Sequence, residues 1–307
     1  MKKSVKILGY LGAGLFFFVF FLFWSFPYDV LKTRILNQIE ESMGGGYRLK
    51  VQSMSAGLIF GFTFKNVEVV RREGGKDIVL LKSPKLNVNP SFMAMLRKVN
   101  RLSFSVVVGK GELSGSYLDS ASNNEIELEF DELNLADLKF LSAVYHVNMK
   151  GTINGEYSLN INKKDPTKNS GKVDLDLVNF SLDPIKFRMD PNTPESEIQI
   201  PEIKLSGAKG SKLLAEMQKN DILLKELLFT GADVDLNLKG SINTAPRIDD
   251  YRIDLSGTFK VKPELAQSVQ LLALFEQQKQ PDGTYPLTLN GKLMKPGISV
   301  GAFRLPF

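Results

Sequence analysis

The sequence predicts a mainly β protein: an N-terminal transmembrane helix, then an extended antiparallel β-sheet system with a few short helices. Three observations predict it. No charged side chain occurs from Ile7 to Phe26. Most later segments alternate apolar and polar residues with a period of two, the signature of strands with one buried face. Glycines recur between those alternating runs, where bends, bulges and tight turns fall.

The first element is the anchor. Twenty helical residues rise about 30 Å, the thickness of a bilayer's hydrocarbon core. Ile7–Phe26 supplies that length, and Phe16, Phe17, Phe18, Phe20, Phe21 and Phe23 leave it no polar face. Trp24 and Tyr28 stand where an aromatic belt meets the far interface. Lys2, Lys3 and Lys6 precede the span and Asp29 is the first charge after it, so the N-terminus is expected in the cytoplasm and the bulk in the periplasm. A cleaved signal peptide is the rival. Its apolar core is usually shorter and ends in a small-x-small site, whereas this one ends in the bulky Trp24-Ser25-Phe26-Pro27-Tyr28. The expected organisation is a cytoplasmic tail over 1–6, an anchor over 7–26, an amphipathic stalk over 28–43 and a periplasmic β-rich domain over 44–307.

In the stalk, Leu31, Ile35, Ile39 and Met43 recur every four residues and Gly44-Gly45-Gly46 closes the run. It either packs on the domain or lies on the outer leaflet of the inner membrane. Alternating strands are then read in EIELEF (Glu125–Phe130), VDLDL (Val173–Leu177), EIQIPEIKLSG (Glu197–Gly207), DVDLNLKG (Asp233–Gly240), YRIDLSGTFKV (Tyr251–Val261) and YPLTLNGKL (Tyr285–Leu293). Half-buried strands of this kind suit antiparallel sheets. Helices are expected at Ser91–Lys98, with a serine cap, and over 263–279, where Leu265, Val269, Leu272 and Phe275 form one stripe. Lys212–Gln218 fits a helix or an edge strand. The turn Asp165–Gly171 is a candidate sub-domain boundary.

The chemistry of catalysis is thinly represented. The chain has no cysteine and so offers no thiolate ligand; its one histidine, His146, reads as an ordinary strand residue, and the serines show no nucleophile elbow and no plausible triad order with it. Asp174 and Asp176 share a strand face about 7 Å apart, as Asp233 and Asp235 do, and a solvated face accounts for both pairs. Gly44–Gly46 precedes a strand, not the helix a phosphate loop opens. The reading is a non-enzyme without metal or cofactor. The net charge of +5 is scattered; a nucleic-acid surface would need it concentrated.

Apolar strand faces must be buried against something. Val173, Leu175 and Leu177 share one face, and Val234, Leu236 and Leu238 share another. Either two sheets close on these faces as a sandwich core, or a partly open, folded-over sheet leaves them lining an apolar groove. Both have the same two-residue period.

The order of elements carries a resemblance. The passage GGGYRLKVQSMSAGLIFGFTFKNVEVV (Gly44–Val70) and the closing GTYPLTLNGKLMKPGISV (Gly283–Val300) resemble the type II secretion system protein N family of Gram-negative bacteria and, more distantly, the AsmA-like envelope proteins. The first resemblance implies an accessory inner-membrane component of the machinery that exports folded proteins, with other secretion components as partners. The second implies a long curved sheet whose apolar face accommodates phospholipid acyl chains. Neither family implies catalytic residues.

Overall fold

The computed structural model describes Thr33, Asn37 and residues 47–304, except 58–60, 74, 146–147, 189–196, 220, 246–249, 269–274 and 294. The anchor residues Lys2, Lys3, Lys6, Ile7, Phe18, Trp24, Phe26 and Tyr28 lie outside the described residues, as does His146. Of the stalk, Thr33 and Asn37 are described, and both are helical. Among the described residues no helix is long and apolar enough to cross a membrane.

The chain folds as a meander. Strands β1 (Tyr47–Ala56), β2 (Phe62–Glu73) and β3 (Lys76–Pro90) lead to a short helix α1 (Phe92–Leu96). Strands β4 (Asn100–Val108), β5 (Gly111–Asp119) and β6 (Asn123–Asn134) follow, then helix α2 (Lys139–Tyr145). Next come β7 (Met149–Asn162) and β8 (Ser170–Leu182), and an excursion through β9 (Ile185–Arg188), β10 (Glu197–Ile200) and β11 (Ile203–Lys204). The path resumes in β12 (Ser211–Gln218), β13 (Asp221–Thr230), β14 (Val234–Asn243) and β15 (Arg252–Val261), passes helix α3 (Pro263–Ser268), and ends in β16 (Tyr285–Lys292), β17 (Lys295–Val300) and β18 (Phe303–Arg304).

Sixteen of these strands form one antiparallel sheet, ordered β1 to β8 and then β12 to β18, with β11 on β8; β9 and β10 make a separate hairpin. Alternation alone did not resolve three segments. Lys212–Gln218 is an interior strand, hydrogen-bonded to β8 on one side and β13 on the other. The run 197–207 is two short strands, β10 and β11, because Pro201 falls between them and has no N–H for a ladder. The run 263–279 is helical over Pro263–Ser268 and turns as a 3-10 helix over 275–278. At 165–171 the chain makes a capped 3-10 turn, in which Asp165 accepts from the Thr167 N–H, and β7 and β8 pair directly across it.

Burial is uneven along the sheet. Ala215, Leu224, Leu238, Ile253 and Leu255 form one buried cluster across β12–β15. Leu135, Phe180 and Phe229 form a second at one end of the strands, with Phe180 stacked on Phe229 at 5.5 Å between ring centroids. Phe275 covers Tyr285 and Val300 in a third.

Candidate functional site

Following the register across the sheet joins its apolar side chains into continuous rows. One row pairs Phe104, Gly115, Leu128, Tyr157 and Val173 in turn across β4–β8. It continues through Ala215, Leu224, Gly240, Leu255, Leu289 and Ile298 to β17. The adjacent row runs from Val106 through Leu113, Phe130, Gly155 and Leu175 to Leu213, Leu227, Leu238, Gly257, Leu287 and Val300. Strands lie about 4.8 Å apart, so a band crossing eleven of them is about 48 Å long measured along the sheet.

All six predicted apolar residues stand on this one band. Leu175 and Leu238 share a row, Val173 lies in the other, and Leu177 pairs with Ile153 and Ser211. Leu236 pairs with Phe229 and Phe259, and Val234 with Val261. Two triplets some sixty positions apart in sequence are therefore one surface. The β4–β7 part of the band, Leu102, Phe104, Val106, Tyr117, Ile126, Leu128, Phe130 and Tyr157, is not among the predicted groove residues, although EIELEF is legible as a half-buried strand; the alternation does not say which strands share a band.

What overlies the band changes along its length. In β12–β17, Ala215, Leu224, Phe229, Leu238, Ile253, Leu255, Tyr285 and Val300 are buried. Across β4–β8, burial on this face is confined to the end holding Val108, Gly111 and Leu133. The others there are half-buried or exposed, Tyr117 at 37% and Ile161 at 38%. That end of the strands is closed by Leu135, Phe180 and Phe229; the opposite end, where β4 and β8 begin, has no such cluster among the described residues.

Burial raises the Tyr157 phenol above its ordinary pKa, and the Tyr251 phenol raises it further. Tyr251 immediately precedes β15, five strand steps from β7.

The other face is wet. Ser103, Ser114, Ser116, Glu127, Glu129, Glu156 and Ser158 frame a shallow depression of about 540 Å³, where Ser116 Oγ donates to Glu127 at 3.1 Å. Among the described residues no group of three or more His, Cys, Asp or Glu side chains is placed to hold a metal ion. Asp174 sits between the ammonium groups of Lys172, at 2.9 Å, and Lys212, at 3.1 Å. Asp235 pairs with Lys262, and Asp233 accepts from the Lys204 N–H at 2.6 Å.

No family model matches the chain, no curated protein matches it, and no solved structure matches its fold.

The wet face has a pH signature. Hydrogen bonds from Lys172 and then Lys212 hold the Asp174 carboxyl below its ordinary pKa, and Lys163 and Lys50 act likewise on Asp119 and Asp77. A carboxyl lowered on folding contributes stability that is fully present above its unfolded pKa, 3.8 here, and is lost as the pH falls through the lower folded value. Thermal midpoints are therefore expected to stay level from neutrality toward pH 5 and to fall below about pH 4. Asp174→Asn should lower the neutral plateau slightly and make the acid limb shallower. An unchanged acid limb would show that this ion pair does not contribute to it.

Proposed function

We propose that this chain is a single-pass inner-membrane protein of a Gram-negative envelope, its bulk periplasmic, that acts by binding and not by catalysis. Its apolar band receives phospholipid acyl chains. The observation that carries this reading is the band itself, continuous across eleven strands and half-buried, not closed over, along much of β4–β8. A sheet that folds over would turn the band into a trough, as in AsmA-like sheets. Burying a methylene is worth about 0.8 kcal/mol. Ten acyl carbons would contribute about 8 kcal/mol, comparable with the 4–15 kcal/mol that association costs, so a chain lying along several strands is held where a short one is not.

A second role rests on the resemblance of Gly44–Val70 and Gly283–Val300 to protein N: accessory component of a type II secretion system, contacting its other components through the same exported domain. The two readings separate by experiment. Native mass spectrometry of the full chain in mild detergent should show co-purifying phospholipid, lost in Leu175→Asp while circular dichroism stays β-rich. A wild-type protein free of lipid would end the acyl-chain reading. For the secretion role, deletion should cut export of folded enzymes and leave detergent sensitivity unchanged; intact export would end it.

A further inference from the structure

We infer that the open end of the sheet docks on an anionic lipid bilayer through α1 and the basic residues that follow it. Pro90 pairs with Leu102, so α1, between β3 and β4, stands at the end of the band opposite the Leu135–Phe180–Phe229 cluster. Met93 is 64% exposed and Leu96 66%, the two most exposed large apolar side chains among the described residues. Three positions apart in a helix, they project from one side. Soluble surfaces seldom hold two such side chains out on an ordered element. This helix is tied to its neighbours by hydrogen bonds: Ser91 Oγ accepts from the Ala94 N–H at 3.3 Å, the Ser91 N–H donates to the Arg101 carbonyl at 2.8 Å, and the Val99 N–H donates to the Ala94 carbonyl at 3.0 Å.

Charge identifies the occupant. From 78 to 111 the chain carries no acidic residue; of its basic residues there, Lys82 is paired with Glu68 and Lys110 lies in the turn at the far end of β4, which leaves Arg97, Lys98 and Arg101 at the helix. Arg97, Lys98 and Arg101 flank the helix and are exposed. The acidic residue at this end of the neighbouring strand, Asp119, is paired with Lys163. Apolar side chains projecting beside cations match a lipid interface, where the former enter the acyl boundary and the latter meet phosphates. A protein groove would also take Met93 and Leu96, but it would give no reason for three exposed cations of one sign directly beside them.

The test uses the full chain with Trp24→Phe, which removes its one tryptophan, and Leu96→Trp, which places an indole at the rim. The protein is reconstituted into phosphatidylcholine vesicles. Brominated phosphatidylglycerol is supplied either in the same bilayer or in added vesicles. Quenching in at least one arm is expected, with brominated phosphatidylcholine ineffective in both. Each Lys or Arg near an anionic leaflet strengthens binding about five-fold, so Arg97→Gln/Lys98→Gln/Arg101→Gln should need about a hundred-fold more phosphatidylglycerol for the same quenching. An indole quenched in neither arm, or equally by both lipids, overturns the inference. It stands apart from the acyl-chain reading: loss of quenching with phospholipid still co-purifying would end the docking alone.

Discussion

Alanine at Gly155 or Gly240 is expected to be among the most damaging single-methyl changes in the protein. Both glycines lie on the apolar band, with φ of +131° and +148°, a conformation that other residues adopt only under strain. A Cβ at Gly155 would stand 2.1 Å from the Asp174 carbonyl oxygen, and one at Gly240 2.1 Å from that of Asp254. Those oxygens belong to the neighbouring strands β8 and β15, so no side chain can swing aside; a strand must move. Backbone strain of about 1–3 kcal/mol and overpacking of similar size together remove about 2–6 kcal/mol from a total that is typically 5–15 kcal/mol. Urea denaturation should show this as a lowered midpoint. Gly207→Ala, where an added Cβ meets nothing within 4 Å, should stay within about 0.5 kcal/mol of wild type. Equal midpoints for Gly155→Ala and wild type would mean that strand spacing here is not set by glycine.

The largest expected loss is at Leu238. It is 3% exposed and packs with Ala215, Leu224, Ile253 and Leu255. Truncation to alanine at such a site costs about 2–5 kcal/mol. Leu238→Asp adds a buried carboxylate with no designed partner, and the chain is expected not to fold. Leu128→Asp is the contrasting change. It lies on the same band, in β6, where the neighbouring apolar side chains are half-buried, so its carboxylate can reach water. A cooperative thermal transition is expected for Leu128→Asp and none for Leu238→Asp. Comparable collapse of both would mean that the band is covered over β4–β8 as well, and would remove the opening on which lipid binding depends.

These contrasts mark where sequence reasoning reached and where it stopped. VDLDL and DVDLNLKG state which residues share a face, because the strand period is two and no other face is available to them. They do not state that Leu175 and Leu238 fall in one row. That follows from the pairing of β8 with β12, across an excursion whose own EIQIPEIKLSG alternates just as well. Which part of the band is covered was also illegible. The glycines were legible as places for bends and bulges, but which of them lie against a neighbouring strand's carbonyl, as Gly155 and Gly240 do, depends on the register. At α1 the serine cap was readable, whereas the outward direction of Met93 and Leu96 depends on how β3 hands over to β4.

The strand order has a consequence for how the protein is made. Each strand from β2 to β8 pairs with the one synthesised just before it, and from β13 onward the same is true. Contacts of short sequence separation form quickly because little loop entropy is lost in closing them. A chain emerging N-terminus first, from a ribosome or a translocation channel, can therefore add each strand to a growing edge without waiting for its far end. The exception is β8. Beyond Leu182 the chain leaves the sheet; Ile203 and Lys204 return to pair with Leu182 and Ser181, but the Ser170–Leu177 part of β8 stays unpaired on its outer edge, with the face carrying Val173, Leu175 and Leu177, until β12 forms. Such an edge is a template for pairing with another chain. The step at which β12 closes it is where assembly is most exposed to misassociation.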